Sequence, residues 1–428
     1  MIILYNIFLL VYHAALHVAA LWNPKARMWV DGRKAWRGGT GTGADRINGS
    51  AETTAGGRKL IWMHCASLGE FEQGRPLLEA TRLKYPDYKI LLTFFSPSGY
   101  EIRKNYTGAD VVMYLPMDGA ANARDFVNAF KPSLVLWVKY EYWHYYLQEL
   151  KRQQIPVVLV SGIFRPGQPF FKWYGGFWKK ILASFEQLFV QTAASKTLLG
   201  QIGFAGKAIV TGDTRFDRVV AIAAQWESLG KPVEIFCNEH PVLVAGSTWE
   251  EDEELLIHYA RAYPQLRFII APHDVTPKRI GEIKKEFPQA ILYSMLRDST
   301  EIAATSNVLI IDNIGTLSKL YKYATITYVG GGFNQSGIHN ILEAAVYSKP
   351  VIFGPVYEKF AEAKALVEAG GAFSVENALE LEEMLNELFN DEERLKKSSD
   401  IAGRFVLNNM GATDKILYYI QIKRLLTN

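Results

Sequence analysis

Residues 328–355 read YVGGGFNQSGIHNILEAAVYSKPVIFGP. A short apolar run enters three glycines, a polar loop and a helical stretch, and a second apolar run then ends in Phe-Gly-Pro. Strand, glycine loop, helix and strand make a βαβ unit. Backbone amides at such a loop can hold a phosphate, and a carboxylate one turn into the helix can accept hydrogen bonds from ribose hydroxyls. The spacing predicts a helix beginning near His339 and Asn340, with Glu343 one turn in.

Further apolar runs flank this unit at 241–247, 266–272, 307–312 and 325–331, and an earlier series lies at 60–66, 89–95, 133–138, 155–160, 187–192 and 207–212. Helical stretches such as 71–84 and 142–154 separate them. Strands alternating with helices predict parallel sheets covered on both faces. The fold class expected is α/β, with two doubly wound, Rossmann-like domains at 60–225 and 226–428, the last helix free to pack back on the first domain. The stretch 213–240 serves as connector. Ligands of such sheets bind outside the carboxyl ends of the strands. Two domains facing each other would then share an interdomain cleft, the GT-B architecture of many glycosyltransferases, which also occurs in epimerases and in periplasmic binding proteins.

Composition narrows the function classes. With 49% apolar and 21% charged residues, the 428-residue chain is neither disordered nor a polytopic membrane protein. Forty-seven basic against 44 acidic residues leave too little positive charge for a dedicated nucleic-acid binder, so no nucleic-acid partner is expected. Cys65 and Cys237 form neither a zinc spacing nor a disulfide framework, and the histidines are scattered. No metal and no cofactor is expected.

Residues 1–22 carry no Lys, Arg, Asp or Glu, and Lys25, Arg27, Arg33, Lys34 and Arg37 follow. This reads as a single membrane-anchor helix over 1–22, about the 20 residues a crossing needs, with the rest of the chain on the cytoplasmic side. A buried or interfacial helix is the rival reading. Residues 23–59 read as a basic juxtamembrane segment and flexible linker. The glycines of 38–58 lack the preceding strand and following G-K-[ST] of a P-loop.

Chemistry-bearing residues gather after the strands. Ser67, Gly69 and Glu70 follow the first; S-x-x-E is a capping box, yet a carboxylate there could also deprotonate a hydroxyl. Ser96, Ser98 and Gly99 follow the second, where N-capping and anion binding compete. Lys139 and Glu141 follow the third, amid Tyr140, Tyr142, Trp143, Tyr145 and Tyr146, which read by default as core. In the second half, Ser247 or Thr248 is expected to cap a helix with an acidic first turn; Pro272, His273, Gly315 and Thr316 sit at other strand ends or helix starts.

Six ordered motifs give this sequence a resemblance to the 3-deoxy-D-manno-octulosonic acid (Kdo) transferases of lipopolysaccharide synthesis. They are H-x-x-S-x-G-E at 64–70, S-P-S-G-Y at 96–100, acid–aromatic–Trp at 141–143, G-D-T-R-F-D at 212–217, G-S-T-W-E at 246–250 and G-G-x-N…H-N-x-L-E at 331–343. The resemblance runs from the N-terminal anchor to about residue 375. It implies an inverting, metal-independent GT-B transferase that moves Kdo from CMP-Kdo to a lipid A precursor, lipid IVA, at the cytoplasmic face of a bacterial inner membrane. Glu70 would be the general base. Pro272, His273, Gly315, Thr316, Leu317, Asn340, Ile341, Leu342 and Glu343 would fall at CMP-binding positions. Ser67, Gly69, Ser96, Ser98, Gly99, Glu141 and Arg165 are the residues expected on the acceptor side. The sequence departs from the family where His273 replaces the usual Arg, where Ser161-Gly162-Ile163 replaces Asn-x-Arg, and where Ala344 replaces Pro. Two alternatives stay open: another GT-B sugar-nucleotide enzyme, a UDP-sugar transferase or 2-epimerase, and a membrane-tethered nucleotide- or sugar-binding protein without catalysis.

Overall fold

The β-branched and aromatic runs of the first half form seven strands: β1 (Leu60–Cys65), β2 (Lys89–Phe94), β3 (Val111–Tyr114), β4 (Leu134–Val138), β5 (Val157–Gly162), β6 (Gln187–Val190) and β7 (Ala208–Val210). In the computed structural model, which describes residues 1–37, 59–298, 303 and 305–427, they pair in the order β3-β2-β1-β4-β5-β6-β7. The stretch 38–58, expected as a linker, lies outside the described residues. Every pairing is parallel, so helices cover both faces and β1 and β4 are buried at every position. Trp62, Trp137, Phe126 and Tyr146 fill one face, and Ile61, Met63, Phe71 and Leu136 the other. The sequence reading passed over β3. Its four residues alternate buried, half-buried, half-buried, buried at a sheet edge, too short a signal to separate from a loop.

The second half repeats the plan with β8 (Val242–Thr248), β9 (Arg267–Pro272), β10 (Ile291–Leu292), β11 (Val308–Ile310), β12 (Ile326–Val329), β13 (Val351–Phe353) and β14 (Ala372–Ser374). Their order is β10-β11-β9-β8-β12-β13-β14, again parallel in every pair. The edge strands β10 and β14, two and three residues long, were not expected. Strand order reverses between β1 and β4 in one sheet and between β8 and β12 in the other, which makes those two points the ligand sites of doubly wound sheets.

Two compact units result, Met1–Arg218 with Met410–Asn428, and Val219–Asn409. The division falls inside the helix Thr214–Ala224, earlier than the expected 225/226, and the last nineteen residues belong with the first unit. Asp217 explains that placement locally. Its carboxylate accepts from the amides of Gly411 (2.5 Å) and Thr413 (2.7 Å), two otherwise orphaned donors at the start of the helix Ala412–Ile422. Ile416 and Ile420 of that helix are then buried against the β1–β4 face.

At the other end of the chain, α1 (Ile2–Ala19) is long and apolar enough to cross a membrane by length and composition. It is followed by α2 (Pro24–Arg37), a helix where a juxtamembrane linker was expected. Both pack within the first unit. The Tyr5 hydroxyl donates to Asp118 at 2.6 Å, and the Arg33 guanidinium donates to the carbonyls of Leu115 (2.9 Å) and Phe95 (2.6 Å). Asp118 also accepts from the amides of Tyr145 and Tyr146 at 3.1 Å, capping the helix His144–Arg152 from a distance.

Two outcomes follow from these carboxylates. Asp217→Ala should lower stability by about 1–2 kcal/mol in urea titration of the full chain, with nucleotide binding unchanged; an unaltered midpoint would mean that the last helix docks without it. Burial raises the Asp118 carboxyl from 3.8 to about 6, with the hydrogen bond from Tyr5 and the amide bonds opposing. Between those values the folded state holds a proton that the unfolded chain has released, so this group's contribution to stability falls as pH rises from about 4 to about 6 and is flat above. The melting temperature of the wild type minus that of Asp118→Asn should therefore decline across that window. A constant difference would show that Asp118 stays ionised throughout it.

Candidate functional site

At the β1/β4 reversal the helix Leu68–Lys84 starts directly after β1, with Ser67 as N-cap residue and Glu70 in its first turn. The capping box expected there does not form: the Ser67 side chain makes no bond to the helix backbone, and its hydroxyl donates instead to the Glu70 carboxylate. Glu70 is half-buried and Gly69 exposed, so this carboxylate sits at the sheet's carboxyl edge with a side open to solvent.

The turn after β4 brings in the neighbours. Lys139 adopts φ +55°, a left-handed conformation uncommon for a residue with a side chain, and the chain reverses so that the Trp137 indole donates to the Glu141 carbonyl at 2.5 Å. The Glu141 carboxylate accepts from His64 Nε2 at 2.9 Å and from Trp143 Nε1 at 3.0 Å. His64 lies inside β1, fully buried, with Nδ1 2.9 Å from Thr93 Oγ1, which itself accepts from Trp62 Nε1 at 2.8 Å. Trp62 N–H to Thr93 hydroxyl to His64 to Glu141 is a complete chain in which each hydrogen has an acceptor, with Nε2–H as the neutral tautomer. Glu141 is thus anchored from the core and not free to swing.

Tyr140, read by default as core, is 38% exposed just after β4. Burial raises its hydroxyl, Arg165 bonds to it and pulls the other way, and the charges of Glu70 and Arg215 both act on it. Arg215 is itself clamped by Asp213, its Nε 2.9 Å and Nη2 2.8 Å from Oδ2. The Cys65 thiol is pushed up by burial first and by Glu70, Glu141 and Glu72 next, which marks the end of β1 as acidic. Ser67 and Glu70 are thus bonded at this edge, and the charges of Glu70, Arg165 and Arg215 act on Tyr140 beside it. Sequence reasoning quoted Arg215 within a motif and gave it no role; Asp two residues before an Arg was the available signal.

Ser96, Ser98 and Gly99 are occupied differently. Ser96 caps the short helix Pro97–Arg103 by accepting from the Ser98 amide at 3.3 Å, and its own amide donates to Ala66 O at 2.7 Å. Gly99 is buried where a Cβ would meet the Phe94 ring. Of these three, the serine hydroxyls alone can offer bonds to a ligand.

In the second unit, the β8/β12 reversal is organised by Asp252. This carboxylate, 1% exposed, accepts from the amides of Trp249 (2.9 Å) and Gly331 (2.9 Å) and from the Tyr328 hydroxyl (2.7 Å). It ties the start of the helix Glu250–Ala262 to the glycine loop, so Trp249 is the N-cap residue in place of the expected Ser247 or Thr248. Thr248 instead donates to Glu253 (2.8 Å), whose carboxyl burial pushes up to about 7 despite Arg279 beside it. Gly331 takes φ +91°, and a Cβ on Gly332 would meet the Gly354 backbone at 2.6 Å, so this loop needs its glycines.

Trp249, His273 and His339 stack over this loop, His273 with its ring centroid 4.7 Å from Trp249 and 4.6 Å from His339. The Trp249 indole donates to His339 Nε2 at 3.2 Å, which fixes the proton of that neutral imidazole on Nδ1. Burial, helped by the charge of His273, lowers His339 to about 4. The helix expected to start near His339 and Asn340 starts at Leu342. Asn340 precedes it, accepting from the Leu342 amide at 3.2 Å and donating to Glu343 at 3.1 Å. Pro272, Ile341 and Leu342 are buried, so their side chains face the core and their backbones alone border the edge. His273 and the half-buried Glu343 do reach it. Gly315 (φ +96°) and Thr316, which donates to Asn313 at 2.7 Å, form the turn before the short helix Leu317–Leu320, where Leu317 is half-buried. Among the described residues no group of three or more His, Cys, Asp and Glu side chains is placed to hold a metal ion.

Residues 42–218 match the family model described as 3-deoxy-D-manno-octulosonic-acid transferase (kdotransferase). The chain is 28% identical over 375 residues to the 3-deoxy-D-manno-octulosonic acid transferase of Rickettsia felis, covering 85% of this chain and 79% of that one. It is 26% identical over 387 residues to the enzyme of the same name from Haemophilus influenzae, covering 83% and 85%. Among solved structures, UDP-GlcNAc 2-epimerase from Neisseria meningitidis bound to UDP-GlcNAc is similar with a TM-score of 0.55 at 17% identity, covering 85% and 99%, a likeness of GT-B fold. With its motifs in order on such a fold, the chain is similar to the 3-deoxy-D-manno-octulosonic acid transferases, by the family model over 42–218 and by these relatives over most of its length.

Proposed function

We propose that this chain transfers Kdo from CMP-Kdo to a lipid A precursor, lipid IVA, at the cytoplasmic face of a bacterial inner membrane, with inversion and without a metal or cofactor. The observation that carries the reading is Glu70: a half-buried carboxylate at a topological switch point, held by the Ser67 hydroxyl and not used as a cap. In the proposed step the acceptor hydroxyl gives its proton to the Glu70 carboxylate as its oxygen bonds to the anomeric carbon of Kdo. The bond from that carbon to the phosphate oxygen breaks, and the electron pair leaves with CMP. Arg165 and Arg215 offer positive charge for the Kdo carboxylate or the departing phosphate. In the second unit, backbone amides around Gly315 and Asn340 are suited to a phosphate, and Glu343 to ribose hydroxyls. A leaving group with one phosphate needs less charge compensation than a diphosphate, which supports a metal-free reaction. Incubation with CMP-Kdo and lipid IVA followed by mass spectrometry tests the whole reading; calorimetry with CMP against UDP tests the donor alone.

Glu70→Gln should leave folding and CMP binding intact and lower turnover on the order of 10²–10⁴-fold. Because the Ser67 hydroxyl serves Glu70 and not the backbone, Ser67→Ala should shift stability by about 0.5 kcal/mol or less and cost less rate than Glu70→Gln. Rate losses that merely track melting temperature in both variants would sink the general-base assignment.

For the nucleotide, Glu343→Ala should weaken CMP binding by about 1.5–3 kcal/mol in calorimetry. Unchanged affinity with a lower melting temperature would make Glu343 a structural partner of Asn340, 3.1 Å away.

A further inference from the structure

We propose that α1 lies in the plane of a membrane surface and does not cross it, and that the segment 172–180 is a second contact with the same anionic lipid surface. The proposal deepens the reading of a lipid acceptor and rests on it for its biological sense, but its test needs neither donor nor acceptor.

The first argument is the seat of α1. Tyr5, Leu9, Tyr12, Leu16 and Ala20 all pack into one cluster with Trp29, Val30, Phe95 and Met117. Their spacing of three or four residues is one face of the helix, and at about 1.5 Å per residue the stripe runs roughly 22 Å, nearly its full length. Polar bonds reinforce it: Tyr5 to Asp118 at 2.6 Å, and Tyr145 to the Asn6 side chain at 2.7 Å. Arg27 closes the far end by donating to the carbonyls of Ala20 and Leu21 at 3.2 Å. A helix seated along a folded unit over its whole length cannot also stand in a hydrocarbon layer about 30 Å thick. Crossing would strip these contacts and leave the buried Asp118 without its hydroxyl partner.

The second argument is the outward face. Leu4, Val11 and Val18 of α1, with Leu21 and Trp22 just after it, are 54–73% exposed, in a stretch without Lys, Arg, Asp or Glu. Contiguous apolar surface of this kind is rare on a soluble monomer. Nearby, the stretch 165–180 reads RPGQPFFKWYGGFWKK, with four cations and no acid. Its Phe177 ring lies 5.5 Å from the Tyr5 ring, so it borders α1, and Trp173 is 96% exposed. An exposed Trp and Tyr among lysines beside an apolar helix face match the interfacial zone of a bilayer with anionic headgroups. Lys25 and Arg27 add charge of the same sign, and the first acid of the chain is Asp31.

The test uses the full chain and vesicles of phosphatidylcholine, alone or with phosphatidylglycerol. Both native cysteines are buried, so spin labels can be placed singly at Leu4→Cys, Val11→Cys and Val18→Cys. Equal, shallow depths at all three are expected; a depth maximum at the middle label would overturn the in-plane seat. In co-flotation, Lys172→Gln with Lys180→Gln should weaken binding to anionic vesicles roughly fivefold per lysine, and Trp173→Ser should weaken binding to both kinds, each with an unchanged melting temperature. Wild-type affinity in these variants would overturn the second contact. Self-association in sedimentation with no vesicle binding would assign the face to a second copy of the chain and overturn both parts. Failure of glycosyl transfer with normal vesicle binding would count against the proposed reaction alone.

Discussion

A parallel sheet covered on both faces leaves its strands little room for unpaired polar atoms. Polar side chains inside β1, β2 and β12 are accordingly bonded: Trp62, His64 and Thr93 to one another, and Thr327 to the Pro350 carbonyl at 2.8 Å. The groups that remain reactive are displaced to the carboxyl edge, where the strands stop and helix N-termini begin. Chemistry gathers at two such edges because the interior excludes it.

The same constraint sets the rigidity of the site. Glu141 is held from within the sheet by His64, and Asp252 fixes the glycine loop from within the second unit. Removing either carboxylate would strand buried donors, so these residues preorganise the edge from behind. Glu70, by contrast, has a hydroxyl partner and an open side, as the proposed general base requires. Charge at this edge is mixed: acids cluster around the end of β1, while the positive charges of Arg165 and Arg215 act on Tyr140. The proposed reaction, with a hydroxyl nucleophile and an anionic donor, needs that combination.

Asp118 joins the two ends of this logic. It accepts the amides that open the helix His144–Arg152 and the hydroxyl that seats α1, so the segment after β4 and the apolar helix share one buried carboxylate. Any displacement of α1 reaches the turn carrying Glu141 through a few bonds.

The alternation of apolar runs with helices determined the α/β class and most strands from sequence alone, since parallel strands buried on both faces must be nearly continuous hydrophobic stretches. The ordered motifs likewise singled out Glu70, His273 and Glu343, whose side chains the fold leaves exposed or half-buried after the strands. Strands β3, β10 and β14 were not legible because two to four residues at a sheet edge bury too little to leave a pattern. Only tertiary structure decided that Ser67 serves Glu70, that Tyr140 is exposed while Ile341 and Leu342 are core, and that Asp217 holds the last helix. Composition could say that α1 is apolar enough to cross a membrane; its seat on the first unit depends on partners such as Asp118 and Tyr145, more than a hundred residues away. Periodicity reports which face of an element is buried, but not what it is buried against.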